Sequence, residues 1–227
     1  LSLPQLLRDL ELGLLIENQF KMSGWILASG GNEFHDEYRQ ADQAALDKRV
    51  DKSQPLLIVV TAPYPTQELA YEHAKQYFLS IGIKTKMSQI LSHKDLTKSN
   101  LEELENSSGI YFAGGTPKRL VDAFINTLAT ESIFKALEND AVIMGSSAGS
   151  MLFGKKVVMP GGKIIGDGLN LLQNQIVLAH FSGTWPEWVE PYREQNYGLL
   201  GLSEGGSVLT PVTNETEKIH FGKVFIA

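Results

Sequence analysis

The sequence predicts an α/β fold, a three-layer α/β/α sandwich whose central sheet is mostly parallel. Short apolar segments alternate with amphipathic ones, which is the pattern of repeated strand–helix units. Glycine-rich sequences at 114–117 and 145–149 each follow an apolar segment, as tight strand-to-helix turns do. Strand-like segments near the carboxyl terminus follow one another closely, which predicts antiparallel strands at one edge of the sheet.

The elements follow from local signals in chain order. The helix after Gly115 begins with Thr116 as N-cap and Pro117 at the first helical position. We expect this helix to bury one face, made of Leu120, Val121, Phe124, Ile125 and Leu128. The predicted strands are Trp25–Ala28, Leu56–Val60, Lys84–Met87, Gly109–Phe112, Ala141–Met144, Gln175–Ala179, Gly206–Leu209 and a turned segment, Ile219–Ile226, and further helices are predicted at Gln67–Leu79 and Glu187–Asn196.

The chain contains neither an internal repeat nor a linker, so we expect residues 22–227 to form a single domain. Residues 1–21 are predicted to be an N-terminal extension of unknown role, with leucines at helical spacing. This segment lacks the basic start and continuous apolar block of a signal peptide.

Composition excludes several classes of function. Twenty Lys and Arg against 26 Asp and Glu give a formal charge of −6, and no basic run offers a surface for nucleic acid. No apolar run approaches the roughly 20 residues that span a bilayer, so no membrane partner is expected. The absence of cysteine removes disulfides, thiolate zinc sites and cysteine nucleophiles, and it is compatible with a cytoplasmic location, which we predict. Gly30-Gly31 is too short to be a dinucleotide fingerprint, and no cofactor or metal is expected.

The sequence Gly145-Ser146-Ser147-Ala148-Gly149 matches the G-x-S-x-G pattern between an apolar strand and a helix. In that context small flanking residues allow a strained turn that exposes Ser147 as a nucleophile, with the amide of Ala148 facing a developing oxyanion. The motif alone is equally compatible with a turn that has no chemistry or that binds phosphate.

A serine nucleophile needs a base, and His180 is the histidine that directly ends an apolar strand-like run. A structural polar residue is also compatible with that position. The remaining histidines lie in polar, helical or late strand segments, where solvated or structural positions are expected: His35, His73, His93 and His220. Gly114-Gly115 offers a second close backbone approach, either as an oxyanion donor or only as a turn.

In order and spacing these motifs, together with Gly201-Leu202-Ser203-Glu204-Gly205-Gly206, resemble the dipeptidase E and cyanophycinase family of serine peptidases. The resemblance extends from about Trp25 to about Leu209. It implies a fold similar to class I glutamine amidotransferases (flavodoxin-like), with serine in place of cysteine. It also implies that Ser147 is the nucleophile, His180 the general base, and Gly115 and Ala148 the oxyanion donors.

The third catalytic member has two candidates. In the family an acidic residue lies between the serine and the histidine, and the first acid after the elbow in this chain is Asp167. Glu204 lies in a glycine-flanked acidic segment similar to one in the family, and we favour it to orient His180.

The resemblance implies substrate contacts from Gly114, Thr116 and Arg193. An acidic substrate, such as an aspartyl dipeptide, would need a cation in the pocket, for which Lys118, Arg119 and Arg193 are the candidates. The arginine-rich stretch that cyanophycinases carry after the histidine is replaced here by Ser182-Gly183-Thr184-Trp185-Pro186-Glu187-Trp188.

These observations predict a serine peptidase that hydrolyses small peptides through an acyl-enzyme. An α/β-hydrolase-type esterase is the enzyme alternative, although Asp167 and His180 follow Ser147 too closely for the usual later strands. A binding module that kept the scaffold but lost its acid is the alternative without catalysis. The expected partner is a small peptide substrate, and the sequence is compatible with either a monomer or a homodimer.

Overall fold

The computed structural model describes residues 22–213 and 217–227, so the predicted N-terminal extension and its helix lie outside the described residues. The strands are β1 (Trp25–Ser29), β2 (Leu56–Val59), β3 (Thr85–Met87), β4 (Gly109–Phe112), β5 (Val142–Ser146), β6 (Lys156–Met159), β7 (Lys163–Asp167), β8 (Gln175–Leu178), β9 (Gly198–Leu202), β10 (Ser207–Pro211), β11 (Ile219–Phe221) and β12 (Val224–Ile226). The α-helices are α1 (Arg39–Leu46), α2 (Gln67–Ser80), α3 (Lys98–Glu105), α4 (Pro117–Phe124), α5 (Leu128–Glu138), α6 (Ala148–Leu152) and α7 (Glu190–Glu194).

The central sheet has the strand order β11–β10–β1–β5–β4–β2–β3. Strands β1 to β5 run parallel to one another. At the edge beside β1, β10 pairs antiparallel to β1 and β11 pairs antiparallel to β10. This arrangement confirms the predicted mostly parallel sheet. Because parallel strands end at the same side, the turns after β1, β4 and β5 lie together at the carboxyl edge.

Helices cover both faces of this sheet, which makes the three layers. Alternate strand residues face opposite sides, so Ile58 packs against α1 and α2, and its neighbours Leu57 and Val59 face α3, α4 and α5. Both faces of the central strands are fully buried, and apolar runs rather than alternating patterns are therefore expected there. Among the described residues, no helix combines the length and apolar character that crossing a membrane requires.

A second sheet has the order β12–β9–β8, with β8 and β9 parallel and β12 antiparallel to β9. The segment predicted to be turned, Ile219–Ile226, forms two strands that do not pair with each other, because each joins a different sheet. Strand β11 extends the central sheet beside β10, and β12 completes the edge of β9. Each half satisfies the backbone of a sheet edge that would otherwise be open. Strands β6 and β7 form a separate hairpin that the sequence analysis did not identify.

The helix predicted after Gly115 is shorter than expected. It ends at Phe124, where Ile125 turns to an extended conformation, and α5 begins after Thr127, whose hydroxyl caps Ala129 N–H. Leu128 therefore lies at the first turn of a new helix and is 57% exposed, which contradicts its predicted burial. The predicted helix Glu187–Asn196 is reduced to a 3₁₀ turn and the short α7.

A buried carboxyl joins two helices on one face of the sheet. Asp42 on α1 is 3% exposed and accepts a hydrogen bond of 2.6 Å from the hydroxyl of Tyr77 on α2. Burial raises the pKa of Asp42 to about 7, against the opposing effect of the Tyr77 hydrogen bond. The folded state thus holds a proton that the unfolded chain releases at lower pH.

We expect the free energy of unfolding to fall as pH rises from 4 through 7, because over this range the unfolded chain has released the Asp42 proton whereas the folded state still holds it. Asp42→Asn keeps an acceptor for Tyr77 and should remove this component, whose slope is at most about 1.4 kcal/mol per pH unit. Urea unfolding at pH 5 and pH 8 measures it, with Asp47→Asn as the control for losing an exposed carboxylate. An identical pH dependence in wild type and Asp42→Asn would contradict the assignment.

Candidate active site

The turn between β5 and α6 has the geometry that the G-x-S-x-G pattern predicts. Ser147 adopts φ 51° and ψ −114°, and its N–H donates to the carbonyl of Ser29 at 3.0 Å. A Cβ at Gly149 would overlap the carbonyl oxygen of Phe112 on the neighbouring strand, so only glycine fits there. The turn is therefore held tightly against the ends of β1 and β4.

Ser150 attaches α6 to the end of β1. Its buried hydroxyl accepts from Ser29 N–H at 2.8 Å and lies 2.7 Å from the carbonyl oxygens of both Ser29 and Gly145. The side chain of Ser29 lies 2.9 Å from that of Ser207 on β10. These contacts satisfy backbone groups at the end of the strand and fix the position of the helix that carries Ser147.

His180 follows β8 and reaches Ser147 across the gap between the two sheets. Its Nε2 lies 3.0 Å from Ser147 Oγ, and its backbone N–H donates to Gly30 at 2.7 Å. The imidazole packs against Gly31, whose φ is +119° and at which a Cβ would overlap the ring. Glycine at 31 is thus required both by backbone conformation and by the proximity of the histidine.

Glu204 follows β9 and lies on the other side of the same imidazole, with Oε1 2.8 Å from His180 Nδ1. The structure therefore brings Ser147, His180 and Glu204 together. The side chains of His180 and Glu204 are 49% and 57% exposed, so their attraction is screened by solvent.

The loop that carries Glu204 is held by Tyr38. The Tyr38 hydroxyl accepts from Gly205 N–H at 2.7 Å and donates to the carbonyl of Gly31. Burial raises the pKa of Tyr38 to about 12, so the hydroxyl keeps the proton that it donates. Tyr38 thus links the glycine turn beneath His180 to the turn that presents Glu204.

The structure places Asp167 elsewhere. It ends β7, and its carboxylate pairs with Lys156 across the β6–β7 hairpin. This ion pair raises the pKa of Lys156. The carboxylate that contacts the imidazole is thus that of Glu204, and Asp167 belongs to the hairpin.

Gly115 and Ala148, the predicted oxyanion donors, both adjoin Ser147. Within residues 22–213 and 217–227 neither backbone N–H donates to a protein acceptor. The N–H of Gly114 is used differently, because it donates to Glu33 Oε1 at 2.8 Å. Thr116, predicted to contact substrate, donates its N–H to Ala62 at 3.0 Å.

Glu33 is a site residue that the sequence analysis did not identify. Its two carboxylate oxygens accept from Gly114 N–H at 2.8 Å and from the Ser146 hydroxyl at 3.1 Å. It therefore joins the loop of Gly115 to the turn of Ser147. Its only signal in the sequence is an acid shortly after Gly30-Gly31, which is indistinguishable from an ordinary loop residue.

A cavity of about 490 Å³, here called the Ser147 cavity, opens beside Ser147 and His180. The cations proposed for an acidic substrate are engaged elsewhere and do not line it. Lys118 pairs with Asp122, and Arg119 donates to the carbonyl oxygens of Thr61 and Leu91.

Arg193 is likewise held away from the Ser147 cavity. It pairs with Glu190 at 2.7 Å, and its guanidinium lies 5.4 Å from the centre of the Trp185 ring. The resemblance implied a substrate contact from this residue, and its described contacts are made within its own segment.

Comparison with solved structures finds the same fold. A peptidase from an acI-B1 actinobacterium has a TM-score of 0.73 at 18% identity, covering 90% of this chain and 97% of that one. A protein provisionally described as a peptidase E, from Listeria monocytogenes EGD-e, has a TM-score of 0.61 at 15% identity, covering 87% of this chain and 98% of that one.

Comparison with curated proteins finds no match. The sequence model of peptidase family S51, a family of serine peptidases, matches residues 25–214, which include every strand of the central sheet except β11 and all residues of the Ser147–His180–Glu204 arrangement. The chain therefore belongs to peptidase family S51.

Proposed function

We propose that this serine hydrolase cleaves small peptides through an acyl-enzyme on Ser147, with His180 as general base and Glu204 as the residue that orients the imidazole. The observation that carries the proposal is the continuous contact from Ser147 Oγ to His180 Nε2 and from His180 Nδ1 to Glu204. Both distances lie within the range at which a nucleophile, its base and an orienting acid act as a unit.

The geometry supports the following steps. Ser147 Oγ attacks the peptide carbonyl carbon while its proton passes to His180 Nε2. The free N–H groups of Gly115 and Ala148 stabilise the resulting oxyanion, and His180 then protonates the leaving amine as the C–N bond breaks. In the second half-reaction His180 takes a proton from water as the water oxygen attacks the acyl carbon. The ester bond to Ser147 then breaks, His180 returns the proton to Ser147 Oγ, and the carboxylic acid product leaves. Glu204 accepts from Nδ1–H throughout and stabilises the imidazolium that forms.

Glu33 acts in this scheme as a positioning residue. By binding Gly114 N–H and the Ser146 hydroxyl, its carboxylate fixes the spacing between the Gly115 loop and the Ser147 turn. The oxyanion donors lie on these two segments, and both N–H groups must be close enough together to bind the same oxygen atom.

Backbone strain supports the same assignment. Positive φ angles among the described non-glycine residues fall mostly on Asn and Asp, which tolerate them, and the exceptions are Phe34, Ser147 and His180. Such conformations cost about 1–3 kcal/mol each and persist where surrounding contacts enforce them, often at functional sites. Two of the three exceptions are the proposed nucleophile and base.

The alternative of a catalytically silent binding module rested on an uncertain third member. The contact between Glu204 and His180 supplies a carboxylate at the required position and favours an active enzyme. An esterase would use the same residues, so substrate turnover has to distinguish the two.

A fluorophosphonate should label wild-type protein at one site, because Ser147 is activated by His180. Labelling should be absent in Ser147→Ala and at least about 100-fold slower in His180→Ala, given the usual contribution of a general base. Intact mass and peptide mapping measure the outcome, and circular dichroism checks folding. Unchanged labelling of Ser147→Ala would exclude Ser147 as the nucleophile.

Glu204→Gln should lower kcat for peptide hydrolysis by about 10²- to 10⁴-fold, because the amide cannot stabilise the imidazolium. Asp167→Asn is the matched control, since its carboxylate pairs with Lys156, and it should retain wild-type kcat. Steady-state kinetics on one peptide substrate compares the two. Loss of activity in Asp167→Asn with normal activity in Glu204→Gln would reverse the assignment.

Ser147→Gly should be more stable than Ser147→Ala by about 1 kcal/mol, because glycine relieves the backbone strain at 147 and loses only part of that gain to chain entropy. Both variants lack the hydroxyl, so the lost contact to His180 cancels in the comparison. Urea unfolding measures the difference. Equal stability would indicate that the turn is not strained.

A further inference from the structure

We propose that the Ser147 cavity binds an uncharged, apolar side chain of the substrate residue whose carbonyl group Ser147 attacks. The inference rests on the proposed function and deepens it, since it assigns the substrate class. It departs from the acidic preference that the family resemblance implied.

The walls of the Ser147 cavity are mostly apolar, and the polar side chains among their described residues are Ser147, His180, Ser182 and Thr184. The walls come from α6, from β6 and the turn after it, and from the segment between β8 and α7, and include Met151, Val158, Met159, Pro160, Pro186 and Trp188. Neither Asp, Glu, Lys nor Arg occurs among the described lining residues, and His180 is their only titratable group near neutral pH. A carboxylate placed here would lose hydration and meet no Lys or Arg side chain among the described lining residues, whereas an aliphatic side chain would gain by leaving water.

The cations that could neutralise a carboxylate have other partners. Lys118 pairs with Asp122 on its own helix, Arg119 binds two backbone carbonyls, and Arg193 pairs with Glu190. Turning any of them into the Ser147 cavity would break these contacts. An acidic preference would thus need a rearrangement that an apolar preference does not.

Gly115 and Pro117 form part of the wall of the Ser147 cavity, so a carbonyl group attacked by Ser147 Oγ and held by the N–H of Gly115 lies at the cavity. That carbonyl carries the acyl residue on one side and the leaving nitrogen on the other. We place the side chain of the acyl residue against the wall formed by Met151 and Met159, and the two dipeptide series below test this placement. The flexible thioethers of these methionines can pack against side chains of different shape, so we expect tolerance among Leu, Met and Phe.

The test compares dipeptides Xaa-Ala, with Xaa as Leu, Met, Phe, Asp or Lys, by release of free alanine from the full chain. We expect kcat/KM for Leu, Met and Phe to exceed that for Asp and Lys by at least about tenfold, because only the apolar side chains gain free energy by burial in the pocket. A preference for Asp-Ala or Lys-Ala would overturn the inference.

The reciprocal series Ala-Xaa locates the apolar side chain. We expect kcat/KM to vary less across this series than across Xaa-Ala, because the leaving residue does not occupy the Ser147 cavity. An apolar preference seen only in Ala-Xaa would overturn the placement on the acyl side.

Met159→Glu places a charge in the wall, and Met159→Gln is its uncharged match of similar size. The Leu-Ala to Lys-Ala ratio of kcat/KM should fall at least about tenfold in the Glu variant relative to the Gln variant, because the new carboxylate pairs with lysine. An equal ratio in two folded variants would overturn the assignment of this wall.

Fluorophosphonate labelling of each protein distinguishes a failure of the pocket assignment from a failure of the proposed serine chemistry. Labelling of Ser147 together with a charged-residue preference, or without hydrolysis of the apolar dipeptides, overturns the pocket assignment and leaves the serine chemistry in place. A folded wild-type protein that is neither labelled nor active overturns the proposed function, and the inference with it.

Discussion

The end of strand β1 is the constraint on which the site depends. The carbonyl of Ser29 accepts from the N–H of Ser147, and the carbonyl of Gly30 accepts from the N–H of His180 at 2.7 Å. Gly30 N–H in turn donates to Gly206, close to the turn of Glu204. One strand end thus fixes three segments that are far apart in sequence. Ser29 and Gly30 are buried, so a backbone group left unpaired at this strand end would cost free energy.

Much of the fold is predictable because the apolar segments are short, continuous and separated by helix-start signals such as Thr116-Pro117. The predictions fail where turns, helix caps or distant strand pairing override the pattern of apolar residues. Leu128 fits the apolar face of a single helix, yet Asn126 takes a positive φ and Thr127 caps a new helix. Strands β11 and β12 pair with the edges of two different sheets. The local sequence does not encode which sheet edge a strand joins.

The candidate site divides in the same way. Strand-to-turn signals in the sequence mark both Ser147 and His180, which the structure brings into contact, whereas the choice between Asp167 and Glu204 depends on tertiary structure. Asp167 is nearer in sequence to His180, but the antiparallel pairing of β7 with β6 gives it Lys156 as a partner. Glu204 reaches the imidazole because β9 lies parallel beside β8, so the ends of the two strands coincide. Glu33 could not be found, since its role exists only where two turns meet.

The proposed catalytic residues and the proposed substrate pocket are built from different parts of the chain. Ser147, His180 and Glu204 lie at strand ends held by backbone hydrogen bonds, whereas the pocket wall comes largely from the β6 side of a hairpin and the segment between β8 and α7. Side chains on that wall can change without moving Ser147 or His180, because the backbone groups that position these two residues belong to β1 and to the sheet of β8, β9 and β12. The same scaffold can therefore carry pockets of different chemistry beside the same serine. The absence of Lys and Arg from the described lining of the Ser147 cavity is the observation on which the proposed apolar preference rests.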